Sequence, residues 1–432
     1  MKYIFLALLF PLTIFSQNDK IHVYFNKNVD NQASSLVDAQ QVVNIDDTVI
    51  SYIDKAQESI DFCIYNTTST QIVTAVNNAY NRGVAIRYIS DSQTSNSALY
   101  GLNSNINTIE NSSTGIMHNK FVIIDYGISD KTVLITGSTN FTSQSIDDDY
   151  NNIIIFEDNA IAQPFLTEFE EMWGSSTLTP DINNAKFGTA KADNTIHTVN
   201  VNGTDVEVYF SPSDNTTSKL VDVINSADDG FYFAQFYLTE NSLGSAIRSV
   251  YNNGVEVKGC IEEATSQGSE YQSFINLQME VYSYEDVPAI LHHKYCIVDP
   301  FNQNSDPIAV TGSHNWSSSA ETKNDENTVI VHDLYVAQTF YEEFNARIRQ
   351  ANLVEELSDA IDVKLLVQDN QIVIEHLGER LNEISLYSLQ GQKLFCTKQN
   401  GTVFINTTLY DKGMYIIVIS SEKYAKSIKV IL

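Results

Sequence analysis

The sequence predicts an α/β protein made of two copies of one α/β unit packed with pseudo-two-fold symmetry, followed by a small all-β sandwich module. Three observations carry this. First, the stretch "IDFCIYNTTSTQIVTAVNNAYNRGVAIRYISD" from Ile60 aligns with "FYFAQFYLTENSLGSAIRSVYNNGVEVKGCIEE" from Phe231, and "MHNKFVIID" and "TGSTNF" align with "LHHKYCIVD" and "TGSHNW". The offset is nearly constant from Gly83/Gly254 through His118/His292 to Asn140/Asn315, which indicates duplication rather than chance. Second, each copy alternates strand-like and helix-like patterns, the signature of parallel or mixed sheets covered by helices. Third, from about Ile361 the helical pattern gives way to short alternating strands separated by Gly and Asn turns.

In chain order, residues 1–16 read as a signal peptide: Lys2, then an apolar run from Ile4 to Phe15, too short to span a bilayer comfortably, then Ser16 at a plausible cleavage point. Residues 17–175 form the first repeat. Its strand around Phe62–Tyr65 is followed by Ile72, Val73, Val76 and Ala79 at helical spacing, then the Gly83 turn and the strand Val84–Ile89. Residues 176–204 are rich in Ser, Thr, Asn, Asp and Gly and suit a surface linker. Residues 205–350 repeat the pattern, with Ile247 and Val250 before Gly254, and the helical signal stops after Gln350. Residues 361–432 form the β-module.

With 25 basic and 54 acidic residues the formal charge is −29, which disfavours a broad electrostatic grip on nucleic acid or anionic bilayers but leaves room for a local basic pocket. The composition is that of a globular chain. Cys63, Cys260, Cys296 and Cys396 are too few and too scattered for a disulfide scaffold and show no metal spacing. Buried free thiols are expected, with a Cys260–Cys296 bridge as the alternative. No cofactor and no metal are expected.

Each repeat carries His-x-Lys-x4-Asp and then Gly-Ser-x-Asn. Imidazole can attack phosphorus or move a proton near neutral pH, while Lys, Ser and Asn supply donors to non-bridging oxygens. Strand alternation puts His118 and Lys120 on one face, and His292 and Lys294 likewise. The two motifs resemble the HKD motifs of the phospholipase D superfamily, over most of residues 20–350.

That resemblance implies a secreted, metal-independent phosphodiesterase in which His118 and His292 are nucleophile and general acid. Lys120, Lys294, Asn140 and Asn315 would clamp the phosphoryl oxygens, with Ser138 and Ser313 ordering the network and Asp125 and Asp299 in a supporting role. The family's carboxylate behind the motif histidine would be Glu326, expected behind His292. The matching position of the first repeat is Asn151, which argues against the usual assignment of His118 as nucleophile. The stretches Asp125–Gly137 and Asp299–Gly312 are longer than the compact family form and read as hairpins. His293 and His314, at variable motif positions, are candidates for substrate contact. His197, His332 and His376 read as structural or surface residues, and Asp147–Asp149 as an exposed loop.

The segments "ISLYSLQGQKLF", "LYDKGMYIIVI" and "KSIKVIL" resemble the C-terminal sorting domain of type IX secretion cargo, with Gly391 and Gly413 at turns. This implies export through the type IX machinery to the surface or medium. Both half-sites occur in one chain, so a monomer should suffice. The expected substrate is a phospholipid, with a nucleic acid, and so a nuclease, as the alternative; the motifs serve either.

Overall fold

The computed structural model describes residues 17–431 except 112–113, 361–362, 369–370, 377–380, 389–390, 399–400, 411 and 422–424; the expected signal peptide lies outside the described residues. The chain divides into one unit ending at Arg347 and another beginning at Ile348. The first unit contains the duplication.

Its first repeat contains strands β1 (Ile21–Phe25), β2 (Gln40–Gln41), β3 (Ser59–Ile64), β4 (Ala85–Asp91), β5 (Asn107–Asn111), β6 (Lys120–Ile124), β7 (Val133–Gly137) and β8 (Asn152–Phe156). They form one sheet in the order β2-β1-β8-β7-β6-β3-β4-β5. The second repeat contains β9 (Thr198–Val201), β10 (Thr204–Ser211), β11 (Gly230–Gln235), β12 (Glu256–Ile261), β13 (Glu280–Ser283), β14 (Lys294–Val298), β15 (Ile308–Gly312) and β16 (Glu326–His332). Their order, β13-β12-β11-β14-β15-β16-β10-β9, is that of the first sheet read from its β5 edge. In both, three parallel strands join an antiparallel set, so the sheets are mixed. Both motif loops are hairpin connections between antiparallel strands, β6–β7 and β14–β15.

The central strands are apolar along their length because both faces are covered. All five residues of β6 are buried, as are all five of β14. One face of the first sheet packs under helices α1 (Ile45–Lys55) and α2 (Thr70–Asn81), where Val49, Ile53, Ile72, Val76 and Ala79 meet Phe62, Val122 and Ile124. Full burial of each large side chain contributes roughly 1.5–3 kcal/mol. Ser69 caps α2 by accepting the Ile72 N–H at 3.3 Å. On the other side of the sheet, helix α3 (Asn159–Trp173) sets Phe165 edge-on to Phe121 of β6, with ring centroids 5.0 Å apart. Helices α4 (Thr216–Asn225) and α5 (Asn241–Asn252) repeat the α1–α2 arrangement on the second sheet.

Three sequence readings need correction. The final helix of the second repeat runs Leu334–Ala360, past Gln350, since "ANLVEELSDA" contains no Gly or Pro and is rich in helix formers. The stretch read as a surface linker contains strand β9 and the buried residues Gly188 and Lys191. Among Asp147–Asp149, only the first two are exposed; Asp149 is buried at the end of a π-helical turn.

The thiols of Cys63, Cys260 and Cys296 are buried and free, and Cys396 is exposed and free. Cys260 and Cys296 lie on β12 and β14, on opposite sides of β11. Two strand spacings, about 9.5 Å, exceed the reach of a disulfide.

The second unit is a β-sandwich. A three-stranded sheet (Val363–Gln368, Gln371–His376, Val403–Asn406) and a four-stranded sheet (Lys393–Thr397, Leu381–Ser388, Met414–Ser421, Ala425–Ile431) share one core. Ile372, Ile374 and Ile405 come from one sheet, and Ile384, Leu386, Ile417 and Ile419 from the other. Gly391, with φ +80°, turns the chain between two strands of the larger sheet.

Asp125 and Asp299, the motif aspartates, end β6 and β14 in the left-handed region, with φ of 49° and 47°. The Asp125 carboxylate accepts the backbone N–H groups of Gln57, Glu58 and Ser59, and that of Asp299 accepts those of Asp228, Asp229 and Gly230. Each pins the turn that launches the neighbouring strand. Asp125→Ala should therefore lower unfolding free energy by about 1–3 kcal/mol, because three part-buried backbone donors lose a charged acceptor. Asp125→Asn, which tolerates the left-handed backbone, should lose less. Urea unfolding checks this, and equal stability of wild type and the Ala variant would contradict it.

Candidate active site

Two short parallel bridges join the repeats: Met117 with Asp325, and Tyr150 with Leu291. The His118 N–H donates to the Asp325 carbonyl at 2.8 Å, and the His292 N–H to the Tyr150 carbonyl at 3.1 Å. Flanking them, Asn327 Nδ2 donates to Thr136 Oγ1 and Thr311 Oγ1 donates to Asn152 Oδ1, both at 2.8 Å and related by the same pseudo-two-fold axis. Each motif histidine is thus seated against the start of the other repeat's last core strand. That crossing decides what lies behind each imidazole.

His118 Nδ1 lies 2.6 Å from Glu326 Oε2, and His292 Nδ1 lies 2.9 Å from Asn151 Oδ1. The carboxylate expected behind His292 stands behind His118, because Asp325 pairs with the residue before His118 and so aims Glu326 across the interface. Asn151 is fixed in turn: its Oδ1 also accepts from Ser138 Oγ at 2.8 Å, and its Nδ2 donates to the Ser145 carbonyl at 2.8 Å. With Nδ1–H committed to an oxygen, each ring leaves Nε2 for chemistry.

Lys120 Nζ donates to the His118 carbonyl at 2.8 Å and Lys294 Nζ to the His292 carbonyl at 2.7 Å. An ammonium has three donors, so each keeps two for a ligand. Tyr65 and Phe236, at matching positions, flank the site: their ring centroids lie 4.7 Å and 5.3 Å from those of His118 and His292, and 5.3 Å and 5.0 Å from Nζ of Lys120 and Lys294. Asp91 and Glu262 also match. Their carboxylates accept the N–H of Met117 and of Leu291, both at 2.7 Å, holding the backbone just before each histidine.

Gly137 and Gly312, with φ of 145° and 144°, let the Gly-Ser turns close on the next strand. A Cβ there would lie 2.4 Å from the Asn152 carbonyl oxygen and 2.2 Å from that of Asn327. The close approach allows Ser138 N–H and Ser313 N–H to donate to those carbonyls at 3.1 Å and 2.9 Å.

Electrostatically the centre is short of negative charge. Burial, aided by Lys120 and Lys294, pushes the His118 imidazole down to about 4 against the pull of Glu326. Burial lowers Lys120 to about 7, with Glu326 opposing. Burial and the nearby lysines hold His292 well below its ordinary value, and burial and Lys120 do the same for Lys294. Burial opposes ionisation of Glu326, but His118 and Lys120 outweigh it and keep the carboxylate charged. A bound anion would relieve all four cationic groups together.

Residues 49–173 and 220–348 match the family model for cardiolipin synthase, PLD-like domain. The chain belongs to this family. Residues 368–432 match the secretion system C-terminal sorting domain, which marks the chain for type IX export to the cell surface or extracellular space. Mitochondrial cardiolipin hydrolase of Homo sapiens is 37% identical over 122 residues, 27% of this chain and 46% of that protein. Phospholipase D of Rickettsia prowazekii is 36% identical over 122 residues, 27% of this chain and 57% of that protein. The chain spans about half the length of the curated relatives it matches. Phosphatidylserine synthase of Haemophilus influenzae superposes with a TM-score of 0.54 at 11% identity, over 78% of this chain and 87% of that one, and so shares the fold.

Of the residues that the phospholipase D pattern picks out, the structure brings His118, Lys120, His292, Lys294 and Glu326 into one electrostatic cluster, with Ser138 bonded to Asn151 behind it. Asn140 and Asn315 follow the Gly-Ser turns, and their side-chain oxygens have no protein partner. Ser313 Oγ accepts the Asn327 N–H at 3.0 Å. Asp125 and Asp299 lie at the far ends of their strands. His293 is no substrate contact: its ring nitrogens are taken by Asn152 at 3.0 Å and Glu343 at 3.1 Å. His314 is buried near Glu321, at 3.6 Å. Asp193, His197 and Asp214 bring possible metal-ligand atoms within 4.8 Å of one another. The protein already satisfies part of that group, since His197 Nδ1 bonds the Val208 carbonyl at 2.9 Å and Asp214 accepts the Phe210 N–H at 2.7 Å.

Sulfate, fully ionised across the range, should bind this site and raise the pKa of Lys120. Its affinity should therefore fall as the pH rises above about 7, by up to tenfold per pH unit from Lys120 alone, as protons must be taken up on binding. Calorimetry at pH 6, 7, 8 and 9 reads this, and a flat profile would contradict it.

Proposed function

We propose that the protein is an exported phosphodiesterase that hydrolyses phospholipid phosphodiester bonds through a phosphohistidine on His118, without metal. The observation that carries the reading is the unequal backing of two otherwise matched histidines: a carboxylate at 2.6 Å behind His118 and an amide oxygen at 2.9 Å behind His292. Attack by Nε2 puts positive charge on the attacking ring, and Glu326 stabilises that charge through Nδ1–H. An amide confers no such stabilisation on His292, which makes His292 the readier proton donor.

In this mechanism the diester enters with its anionic oxygens on Lys120 and Lys294, aided by Asn140 and Asn315, and its charge holds the proton on His292. His118 Nε2 attacks phosphorus; the N–P bond forms as the P–O bond to the leaving group breaks, and His292 Nε2–H protonates the departing oxygen. Water then gives a proton to His292 while its oxygen attacks phosphorus and the N–P bond breaks. His118 is neutral again and His292 protonated. The lysines and asparagines supply the neutralisation that a metal would otherwise provide.

Relatives bearing the names cardiolipin hydrolase and phospholipase D support a phospholipid substrate. The charge of −29 supports it further, by disfavouring a polyanion. Both half-sites lie in one chain, so the monomer suffices.

Purified protein with EDTA present should cleave cardiolipin or phosphatidylcholine vesicles and leave plasmid DNA intact. Cleavage of DNA alone would overturn the substrate, and loss of activity on chelation, restored by a divalent ion, would overturn the metal-free mechanism. With an activated aryl phosphodiester, His292→Ala should still form the adduct, whereas His118→Ala should form none. On lipid both should lose on the order of 10²- to 10⁴-fold in turnover. Acid-quenched peptide mass spectrometry locates the adduct, and phosphate on the His292 peptide would reverse the assignment.

A further inference from the structure

Behind Glu326 lies a buried ion cluster whose cation comes from outside the repeat. Lys191, from the segment joining the repeats, has a fully buried ammonium that pairs with Glu168 of α3, lies 3.2 Å from Asp325 Oδ1, and donates to the Ser211 carbonyl at 3.0 Å. The Gly188 N–H donates to the same Asp325 oxygen at 2.7 Å. Asp325 is completely buried. Its backbone receives the His118 N–H at 2.8 Å and donates to the Ile116 carbonyl at 2.9 Å, and the next residue is Glu326.

The second repeat solves the matching problem from within. Tyr150, the counterpart of Asp325, lies under the Arg347 guanidinium, 4.1 Å from its ring centroid, and Arg347 pairs at 2.9 Å with Glu343, the counterpart of Glu168. Where Arg347 stands in the second repeat, the first has Met172. The cation for Glu168 therefore has to come from outside the repeat, and Lys191 provides it. Two carboxylates share one ammonium there: burial raises Glu168 to about 7 and raises Asp325 as well, while Lys191 stays protonated because the two acids outweigh its burial.

We infer that Lys191 and Gly188 are positioning residues: the segment joining the repeats fixes Asp325, and through it the register that sets Glu326 behind His118. The cost of burying the Lys191 ammonium is offset by its two acids and the Ser211 carbonyl, and removing it leaves an uncompensated buried acid beside the strand that carries Glu326. The inference rests on the proposed role of His118 for its effect on turnover, but not for its effect on the His118–Glu326 bond.

The test uses the whole chain. In wild type labelled with ¹⁵N-histidine, His118 should show a low-field Nδ1–H proton and an unprotonated Nε2. In Lys191→Met that proton should vanish or move upfield, and turnover should fall by about 10- to 100-fold, the usual effect of losing an outer orienting partner, with KM little changed. The double variant Glu168→Gln, Lys191→Met, which removes one of the two acids together with the ammonium and leaves Asp325 bonded to the Gly188 N–H, should fold and behave in the same way. Lys186→Met, at an exposed pair in the same segment, should leave the resonance in place. A folded Lys191 variant with the wild-type resonance would overturn the inference. An altered resonance with unchanged turnover would leave the positioning intact and overturn the role of His118 instead. Wild-type hydrogen exchange gives a reading independent of variants: the amides of Gly188 and His118, both bonded to Asp325, should open together, and independent opening would overturn the coupling.

Discussion

The hydrogen bond from His118 to Glu326 crosses the interface between two repeats, and most of the molecule is arranged to make that crossing possible. Glu326 begins β16 of one sheet and His118 lies just before β6 of the other, so their 2.6 Å separation requires both sheets to be stiff and their packing to be in register. Stiffness comes from β6, β7, β14 and β15, buried along their whole length, and from the aspartates that pin the adjoining turns. Register comes from paired bridges at Met117–Asp325 and Tyr150–Leu291 and from the Thr and Asn side chains between the sheets.

The same burial that makes the site rigid makes it electrostatically unsatisfied. Two lysines and two histidines lie close together with one ionised carboxylate among them, and all four bases are held below their ordinary values. The centre is therefore prepared for an anion before one arrives: its dipoles and charges need little rearrangement, and the ligand supplies the missing charge. The aromatic rings of Tyr65 and Phe236 wall each half.

Much of this was legible in the sequence, because duplication repeats its own signals. Strand and helix patterns, the hairpins after both motifs and the pairs His118/His292 and Lys120/Lys294 could be read from alignment of one half with the other. What could not be read was which residue meets which across the interface: Glu326 lies in the second repeat and was expected behind His292 of the same repeat. Local sequence carries no information about a contact made by crossing. Asp91 and Glu262 were present in the aligned stretches, but a carboxylate at the end of a strand gives no sign that it accepts a backbone N–H from another loop. Lys191 was hidden because its neighbours are polar and small, the composition of a surface connection.

The cross-repeat bridges also shape how such a protein can change. After duplication, a substitution at the position of Asn151 or Glu326 alters the histidine of the other copy, so neither half is free to drift alone. Divergence is reciprocal: an acid in one copy and an amide in the other place unequal partners behind two matched imidazoles. Specialisation of the two halves is thus recorded crosswise, each copy carrying the history of its neighbour's chemistry.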